Sequence, residues 1–159
     1  MVLVPGFVVP VWAAIAPGLW QISLGLAGVV LAEVARDCYH IGGHIWEPLK
    51  YPHNLHHKAY RRDLSMVSLE AYCTAQWRND FPEALFMATI AALGALLSHQ
   101  AAIGFGVLYA LGFALTAWAR SRGWLLSTDL AHKPGDLDEN PSRWLVNRTY
   151  HWRHHFDSG

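Results

Sequence analysis

Two long apolar stretches, separated by polar segments rich in histidine, form the dominant pattern of this sequence. Residues 1–32 contain no charged side chain, and neither do residues 84–119, in which His99 alone titrates near neutral pH. Each stretch exceeds the roughly 20 apolar residues that a helix needs to cross a bilayer. The pattern therefore predicts an integral membrane protein built from helices.

The first apolar stretch is interrupted near its start. Pro17-Gly18 is a helix-breaking pair, so we expect a long spanning helix from about Leu19 through Asp37 into the polar segment that follows. Residues 1–16 are then either a short first membrane segment or a broken start. The two alternatives give four or three spanning helices in total.

The second apolar stretch predicts a helical hairpin. Residues 82–97 and 101–120 are two helices that turn at Ser98-His99-Gln100, the main polar break in the stretch. Asp80-Phe81-Pro82-Glu83 resembles a capping box that begins the first of them. Because a hairpin returns the chain to the side it left, the polar segments before and after it lie on one face of the membrane.

The polar segments carry shorter predicted helices. Tyr51-Pro52 precedes a helix from about Pro52 to Arg62, since proline is favoured at the first helical position. Asn140-Pro141 has the same form and begins a last helix. Residues 121–139 contain Gly123, Pro134-Gly135 and several carboxylates, so we expect a loop there.

Eight of the ten histidines form three clusters at helical spacing. They are His40-Ile-Gly-Gly-His44, His53-Asn-Leu-His56-His57 and His151-Trp-Arg-His154-His155. Residues three and four apart share one helix face, so each cluster can direct two or three rings at one point. Eight imidazoles are too many for one tetrahedral zinc. They suit two metal ions, with zinc, copper, iron or nickel favoured over calcium or magnesium.

Gly42 and Gly43 lie inside the first cluster, where a glycine costs a helix about 1 kcal/mol. Close approach of a metal or a neighbouring helix is one explanation, and a fraying helix end is the other. The pattern leaves both open.

Four further residues are candidates for the site. His132 is a ninth possible ligand, with a solvent-facing loop histidine as the alternative. Asp37 precedes the first cluster by three residues, so its carboxylate can accept the second ring N–H of a ligand, and Asp129 has a similar claim. Asn147 precedes the last cluster by four residues and could supply an oxygen ligand or a hydrogen bond.

Charge and cysteine content narrow the function further. The 159 residues are 53% hydrophobic with zero formal net charge, so the basic footprint of a nucleic-acid-binding protein is missing. Cys38 and Cys73 form neither a disulfide framework nor a CxxC motif.

The positions of the basic residues predict the orientation in the membrane. All twelve lysines and arginines lie between Arg36 and Arg153, on the same predicted side of the membrane as the histidine clusters. This predicts that the histidine face is cytoplasmic.

The three histidine clusters, in this order and with a membrane hairpin before the last, resemble the fatty acid hydroxylase and sterol desaturase superfamily of membrane-bound di-iron enzymes. Stretches around the clusters are similar to a cyanobacterial-type branch of it. These stretches are Arg36 through Leu64, Gln76 through Glu83 and Asn147 through Asp157.

This resemblance implies an all-α membrane bundle of three to four spanning helices with a cytoplasmic histidine-rich helical cap, as one di-iron oxygenase-like domain over residues 1–159. No catalytic residue is implied beyond the metal ligands. The predicted ligands are His40, His44, His53, His56, His57, His151, His154, His155 and His132. The chain stops four residues after His155, whereas members of this branch often continue, so a truncated chain and a minimal core are both open.

The implied reaction is the O2-dependent oxidation of a C–H bond in a lipid, with hydroxylation favoured over desaturation. A fatty acyl chain, sterol or carotenoid would enter from the bilayer. Two iron ions would bind O2, with electrons from a ferredoxin or a b-type cytochrome reductase system. Zinc replaces iron readily in imidazole sites when it is abundant.

Other functions remain open at this point. Related plant proteins cleave a fatty aldehyde to an alkane, which is the leading alternative among enzymes. A non-catalytic metal- or haem-binding membrane protein is the alternative from another class, although haem would use two to four of the eight clustered histidines. A zinc protease is disfavoured, because the first cluster lacks the glutamate of H-E-x-x-H.

Overall fold

A computed structural model describes residues 2–4, 7–9, 11–133, 137 and 148–157 of the chain, with side chains from residue 15 onward. The described part is mostly helical. Its helices are α1 (Val11–Ile45), α2 (Glu47–Lys58), α3 (Leu69–Ala75), α4 (Phe81–Ser98), α5 (Phe105–Ser121) and α6 (Arg148–Phe156). A π-helical turn (Gln76–Asp80) joins α3 to α4, and two 3-10 turns are Ala101–Gly104 and Leu126–Thr128. Two short strands, β1 (Val2–Val4) and β2 (Phe7–Val9), pair antiparallel.

Three helical segments of the described chain are long and apolar enough to cross a membrane. They are Ile15–Ile45, Leu69–Ser98 and Ala101–Ser121. Large apolar side chains remain exposed on them, up to 81% at Leu97, as expected for a surface that faces lipid rather than water. The predicted all-α membrane fold is confirmed, as is the hairpin, in which His99 takes the turn with a positive φ of 55°.

The predicted start of the first helix at Leu19 is wrong. Helix α1 begins at Val11, eight residues earlier, and contains Pro17 in its interior. An interior proline removes one backbone hydrogen bond, and apolar spanning helices accommodate that loss. The two short strands lie before α1, so the structure favours a broken start over a separate membrane segment.

The predicted bounds of the second helix are also wrong. Helix α2 runs from Glu47 to Lys58, and Pro48 rather than Pro52 lies in its first turn, where a missing N–H costs nothing. The last helix is described from Arg148, whereas its predicted cap at Asn140-Pro141 lies outside the described residues.

Asp80 does not begin a helix, as the capping-box pattern predicted. The chain is already helical from Leu69, where Ser68 Oγ accepts a hydrogen bond from the N–H of Ala71. The π turn then continues directly into α4, and the N–H of Phe81 bonds to the carbonyl of Gln76. Because the helix is continuous, no free N–H group needs the Asp80 carboxylate as a cap.

The chain divides into two compact units. The first comprises Met1–Asp37 and Leu85–Leu111. Small residues bring its helices into backbone contact, since a Cβ added to Gly106 would lie 2.2 Å from the carbonyl oxygen of Gly28. Its buried cluster is Ala32, Met87, Ala88, Ala91 and Ala110.

The second unit comprises Cys38–Ala84 and Gly112–Gly159. Its buried cluster is Ala59, Tyr60, Tyr72 and Ala75, with Leu126 and Phe156 packed against it. Both cysteines are free thiols, in agreement with the expectation of no disulfide.

Candidate metal centre

All nine histidines predicted as ligands lie in the second unit. Helix α1 carries two of them in its last turns, α2 carries three, α6 carries three, and one lies in the loop between α5 and α6. In that order they are His40 and His44, then His53, His56 and His57, then His151, His154 and His155, and finally His132.

The first group is centred on His154. Its Nε2 lies 2.7 Å from Nε2 of His40 and 3.2 Å from Nε2 of His44. The Nε2 of His53 lies 2.9 Å from that of His44. These four rings offer ligand atoms within 4.8 Å of one another. His57 adjoins them, with its Nε2 2.9 Å from His53 and 3.1 Å from His154.

The second group joins His132 to histidines of α2 and α6. The Nε2 of His151 lies 2.7 Å from that of His132 and 3.1 Å from that of His155. The Nε2 of His155 in turn lies 3.2 Å from that of His56. These four ligand atoms also fall within 4.8 Å of one another. The loop histidine therefore points inward, and it is buried, with 7% of its surface exposed.

These separations are those of ligands that share an ion. Metal–nitrogen bonds of about 2.0–2.1 Å place neighbouring ligand nitrogens about 2.9–3.4 Å apart. The observed Nε2–Nε2 distances run from 2.7 to 3.2 Å, so they overlap that range and fall up to 0.2 Å below it. Each group could therefore hold one metal ion.

The glycines of the first cluster let α2 approach α1. A Cβ added to Gly43 would lie 2.5 Å from Cγ of His53, and one on Gly42 would lie 3.1 Å from Leu49. Because α1 remains helical through Ile45, the fraying-end explanation is not the one observed. Close approach of a neighbouring helix is the reason that these positions are glycine, and it brings the His53 ring into the first group.

The half-buried carboxylate of Asp80 orients the ring of His56, which belongs to the second group. Asp80 Oδ1 accepts a hydrogen bond from Nδ1 of His56 at 2.9 Å, and it also accepts one from Nδ2 of Asn79 at 2.9 Å. With Nδ1 as the donor, Nε2 of His56 carries the lone pair that a metal would bind. Such outer hydrogen bonds fix the tautomer and the orientation of a ligating imidazole.

Asp129 orients the loop histidine in the same way. Its Oδ1 accepts from Nδ1 of His132 at 2.9 Å, and its Oδ2 accepts from the hydroxyls of Tyr60 at 2.8 Å and Tyr72 at 3.2 Å. The Tyr60 ring stacks on His132 with centroids 3.7 Å apart and planes inclined by 7°. The imidazole of His132 is therefore held at its Nδ1 edge by Asp129 and on one face by Tyr60.

The chain resembles a monoglucosyldiacylglycerol epimerase. The two are 45% identical over 153 residues, and the relative comes from Synechocystis sp. (strain ATCC 27184 / PCC 6803 / Kazusa). The alignment covers 87% of this chain and 37% of that protein, so the chain spans little more than a third of its relative's length. No family model matches the sequence, and no solved structure matches it either. Membership of the di-iron superfamily stays a prediction.

The electrostatics of the histidines keep most of them uncharged. Burial, with repulsion from neighbouring rings, lowers the pKa of His53 to about 2, of His57 to about 3 and of His151 to about 2. His56 differs: burial disfavours its charge, but the charge and hydrogen bond of Asp80 outweigh burial and raise its pKa. The neutral ring is the form that binds metal, so the low pKa values favour ligation at neutral pH.

The remaining predicted residues have different surroundings. Asp37 is largely exposed and its carboxylate lies 4.0 Å from Nε of Arg36, so its expected bond to a cluster histidine stays a prediction. Asn147 lies outside the described residues. Sequence reasoning missed Asp80 as a partner of the site, although it is an acid on the histidine side of an apolar stretch, which was the available signal.

Proposed function

We propose that this chain is the metal-binding domain of a membrane enzyme that oxidises a C–H bond of a lipid, with two iron ions and O2. The observation that carries the proposal is the convergence of nine Nε2 atoms into two groups, with neighbours 2.7–3.2 Å apart. A single structural ion would need four ligands. Two adjacent groups suit a dinuclear centre instead.

The donor set fits iron. Imidazole nitrogens suit iron, zinc and copper, and calcium and magnesium prefer oxygen. When bound, iron would supply the redox chemistry with O2, and an external electron donor, a ferredoxin or a b-type cytochrome reductase system, would supply the electrons. One ion would take His40, His44, His53, His57 and His154, and the other would take His56, His132, His151 and His155.

The chain's own residues hold the rings and admit the lipid. Asp80 and Asp129 fix two of the imidazoles, and Gly43 allows α2 to approach α1. The exposed apolar side chains of the spanning helices favour a substrate that enters from the bilayer. The positions of the lysines and arginines support a site on the cytoplasmic face.

The similarity to a monoglucosyldiacylglycerol epimerase favours a glycolipid as the substrate. It also favours a second candidate reaction, inversion at one carbon of the sugar. Inversion exchanges the hydrogen and the hydroxyl between the two faces of that carbon, so the product has the same atoms as the substrate and no net oxidant is consumed; a transient acceptor would take up the hydrogen and give it back. Both candidates begin with loss of hydrogen from a C–H bond.

The test combines metal content with product analysis. Protein purified in detergent from iron-supplemented cells should contain about two metal ions per chain. It is then given monoglucosyldiacylglycerol, a chemical reductant and O2, and the lipid is analysed by mass spectrometry and sugar composition. Gain of one oxygen indicates hydroxylation, loss of two hydrogens indicates desaturation, and an altered sugar at unchanged mass indicates epimerisation.

A His154→Ala variant is the matched control, since His154 lies at the centre of the first group. It should insert into membranes normally and leave the lipid unchanged. Full activity in this variant, or an unchanged lipid with two-iron wild-type protein, would contradict the proposal. An intense Soret band would instead indicate a haem protein.

A further inference from the structure

The π-helical turn Gln76–Asp80 places two amide side chains in the interior. Gln76 has 0% and Asn79 has 1% of its surface exposed. A π turn inserts one extra residue into a helix, and such turns occur frequently at functional sites. Here the turn lies within the second unit, beside the second histidine group.

These amides lack most of the hydrogen bonds that they need. Both side-chain atoms of Gln76, Nε2 and Oε1, and the Oδ1 of Asn79 have no hydrogen-bond partner among the residues that the structure describes. Buried polar groups are nearly always hydrogen-bonded, because an unmet amide loses its bonds to water without replacement. Two acceptor oxygens, Gln76 Oε1 and Asn79 Oδ1, and one donor group, Gln76 Nε2, are therefore available to bind a ligand.

The amide pair is connected to the metal centre. Asn79 Nδ2 donates to Asp80 Oδ1, and the same oxygen accepts from Nδ1 of His56. The turn is not sealed from outside, since the Asp80 side chain keeps 19% of its surface exposed. Asn79 is thus bonded directly to a carboxylate that is partly exposed.

We infer that Gln76 and Asn79 bind hydroxyl groups of the sugar in a neutral glycolipid. The inference rests on the proposed function for the entry of a lipid into this site. A hydroxyl both donates and accepts, which matches amide groups that offer both, whereas a phosphate would meet no positive charge on them. A plain alkyl chain would leave Gln76 Nε2, Gln76 Oε1 and Asn79 Oδ1 without hydrogen bonds. Sites built to hydrogen-bond a hydroxyl reject ligands that lack it.

Removing the Gln76 amide should affect the stability of the protein and its affinity for the lipid differently. Gln76→Met keeps the length of the side chain and removes the unmet amide, so the thermal midpoint of the lipid-free protein should stay the same or rise. Affinity for the glycolipid should fall about tenfold or more, because both positions that Gln76 offers, Nε2 and Oε1, are lost. Gln21→Met, at an exposed position of α1, is the matched control and should change neither quantity.

The experiment measures lipid binding to the purified chain by native mass spectrometry, with metal content determined on the same sample. The probes share their acyl chains and are monoglucosyldioleoylglycerol, dioleoylglycerol and dioleoylphosphatidylglycerol. We expect wild type to bind the glucosyl lipid about tenfold more tightly than the other two, and Gln76→Met to lose that preference.

Equal binding of the three lipids, or preference for the phospholipid, would overturn the inference. A Gln76→Met variant that keeps the preference for the glucosyl lipid would also overturn it. A lower thermal midpoint in that variant would overturn it as well, because it would mean that Gln76 already has a structural partner such as buried water. Binding is read without turnover. Glucosyl-lipid binding without any reaction would therefore refute the proposed reactions but not the proposed binding site.

Discussion

Replacing Asp129 with asparagine should weaken one of the two metal sites and leave the other unchanged. Its carboxylate accepts Nδ1–H of His132 with one oxygen and two tyrosine hydroxyls with the other, and its side chain is 9% exposed. An asparagine has one acceptor oxygen, so its NH2 group must face either the imidazole N–H or the phenols. At least one buried hydrogen bond is lost, and His132 becomes less basic and less firmly oriented.

Mutating a residue that hydrogen-bonds to a metal-ligating histidine typically changes metal affinity by 10- to 100-fold, which corresponds to about 1.4–2.7 kcal/mol. The assay titrates metal-free protein with Co2+ against a chromophoric chelator and fits two sites. Asp129→Asn should weaken one site by that factor. Asp63→Asn is the matched control, because Asp63 is exposed and, among the described residues, its carboxylate bonds to Ser65 in its own turn. Equal weakening of both sites, or none in a folded Asp129→Asn protein, would refute the assignment of His132 to a separate second group.

Three further predictions concern the same unit. Gly43→Ala should reduce the metal content measured by elemental analysis, since the added Cβ would lie 2.5 Å from the His53 ring. Gly42→Ala is the control: its Cβ would lie 3.1 Å from the flexible tip of Leu49, so it should reduce the metal content less. Equal losses in the two variants would contradict this prediction. Metal-free protein should lose stability as the pH falls from about 7 to about 5. The pKa values of His53 and His57 in the folded protein are about 2 and about 3, below the value of 6.5 in the unfolded chain. The unfolded chain therefore binds protons first, and acidification favours unfolding. Thermal midpoints that rise on acidification would count against buried neutral rings. His154→Ala should retain about one metal per chain, bound by the other group, and retention of two would exclude His154 as a ligand.

The sequence predicted the elements that depend on local pattern. The apolar stretches predicted the spanning helices and their turn at His99, and the histidine spacing predicted clusters on single helix faces. Proline was a poor guide to helix starts. Pro17 and Pro52 both lie inside helices, because a spanning or packed helix can lose one backbone bond and continue.

Contacts between distant segments could not be predicted in the same way. The D-x-x-E pattern at Asp80 looks the same whether or not the preceding chain is helical, and only the π turn shows that its carboxylate is available to His56. The inward position of His132 depends on Asp129 and on stacking with Tyr60, which comes from another part of the chain. Pattern analysis therefore named the candidate ligands, but not how they divide into two groups.

The order of the candidate ligands along the chain has a consequence for how a metal centre would be assembled. The bond partners His40 and His154 are separated by 114 residues, and the membrane hairpin lies between them. Both groups take rings from α6, so neither is complete until α4 and α5 have been synthesised. Metal loading would thus be a late step in biogenesis. Bound ions would close a loop of about a hundred residues, and metal binding would then offset part of the entropy cost of closing that loop.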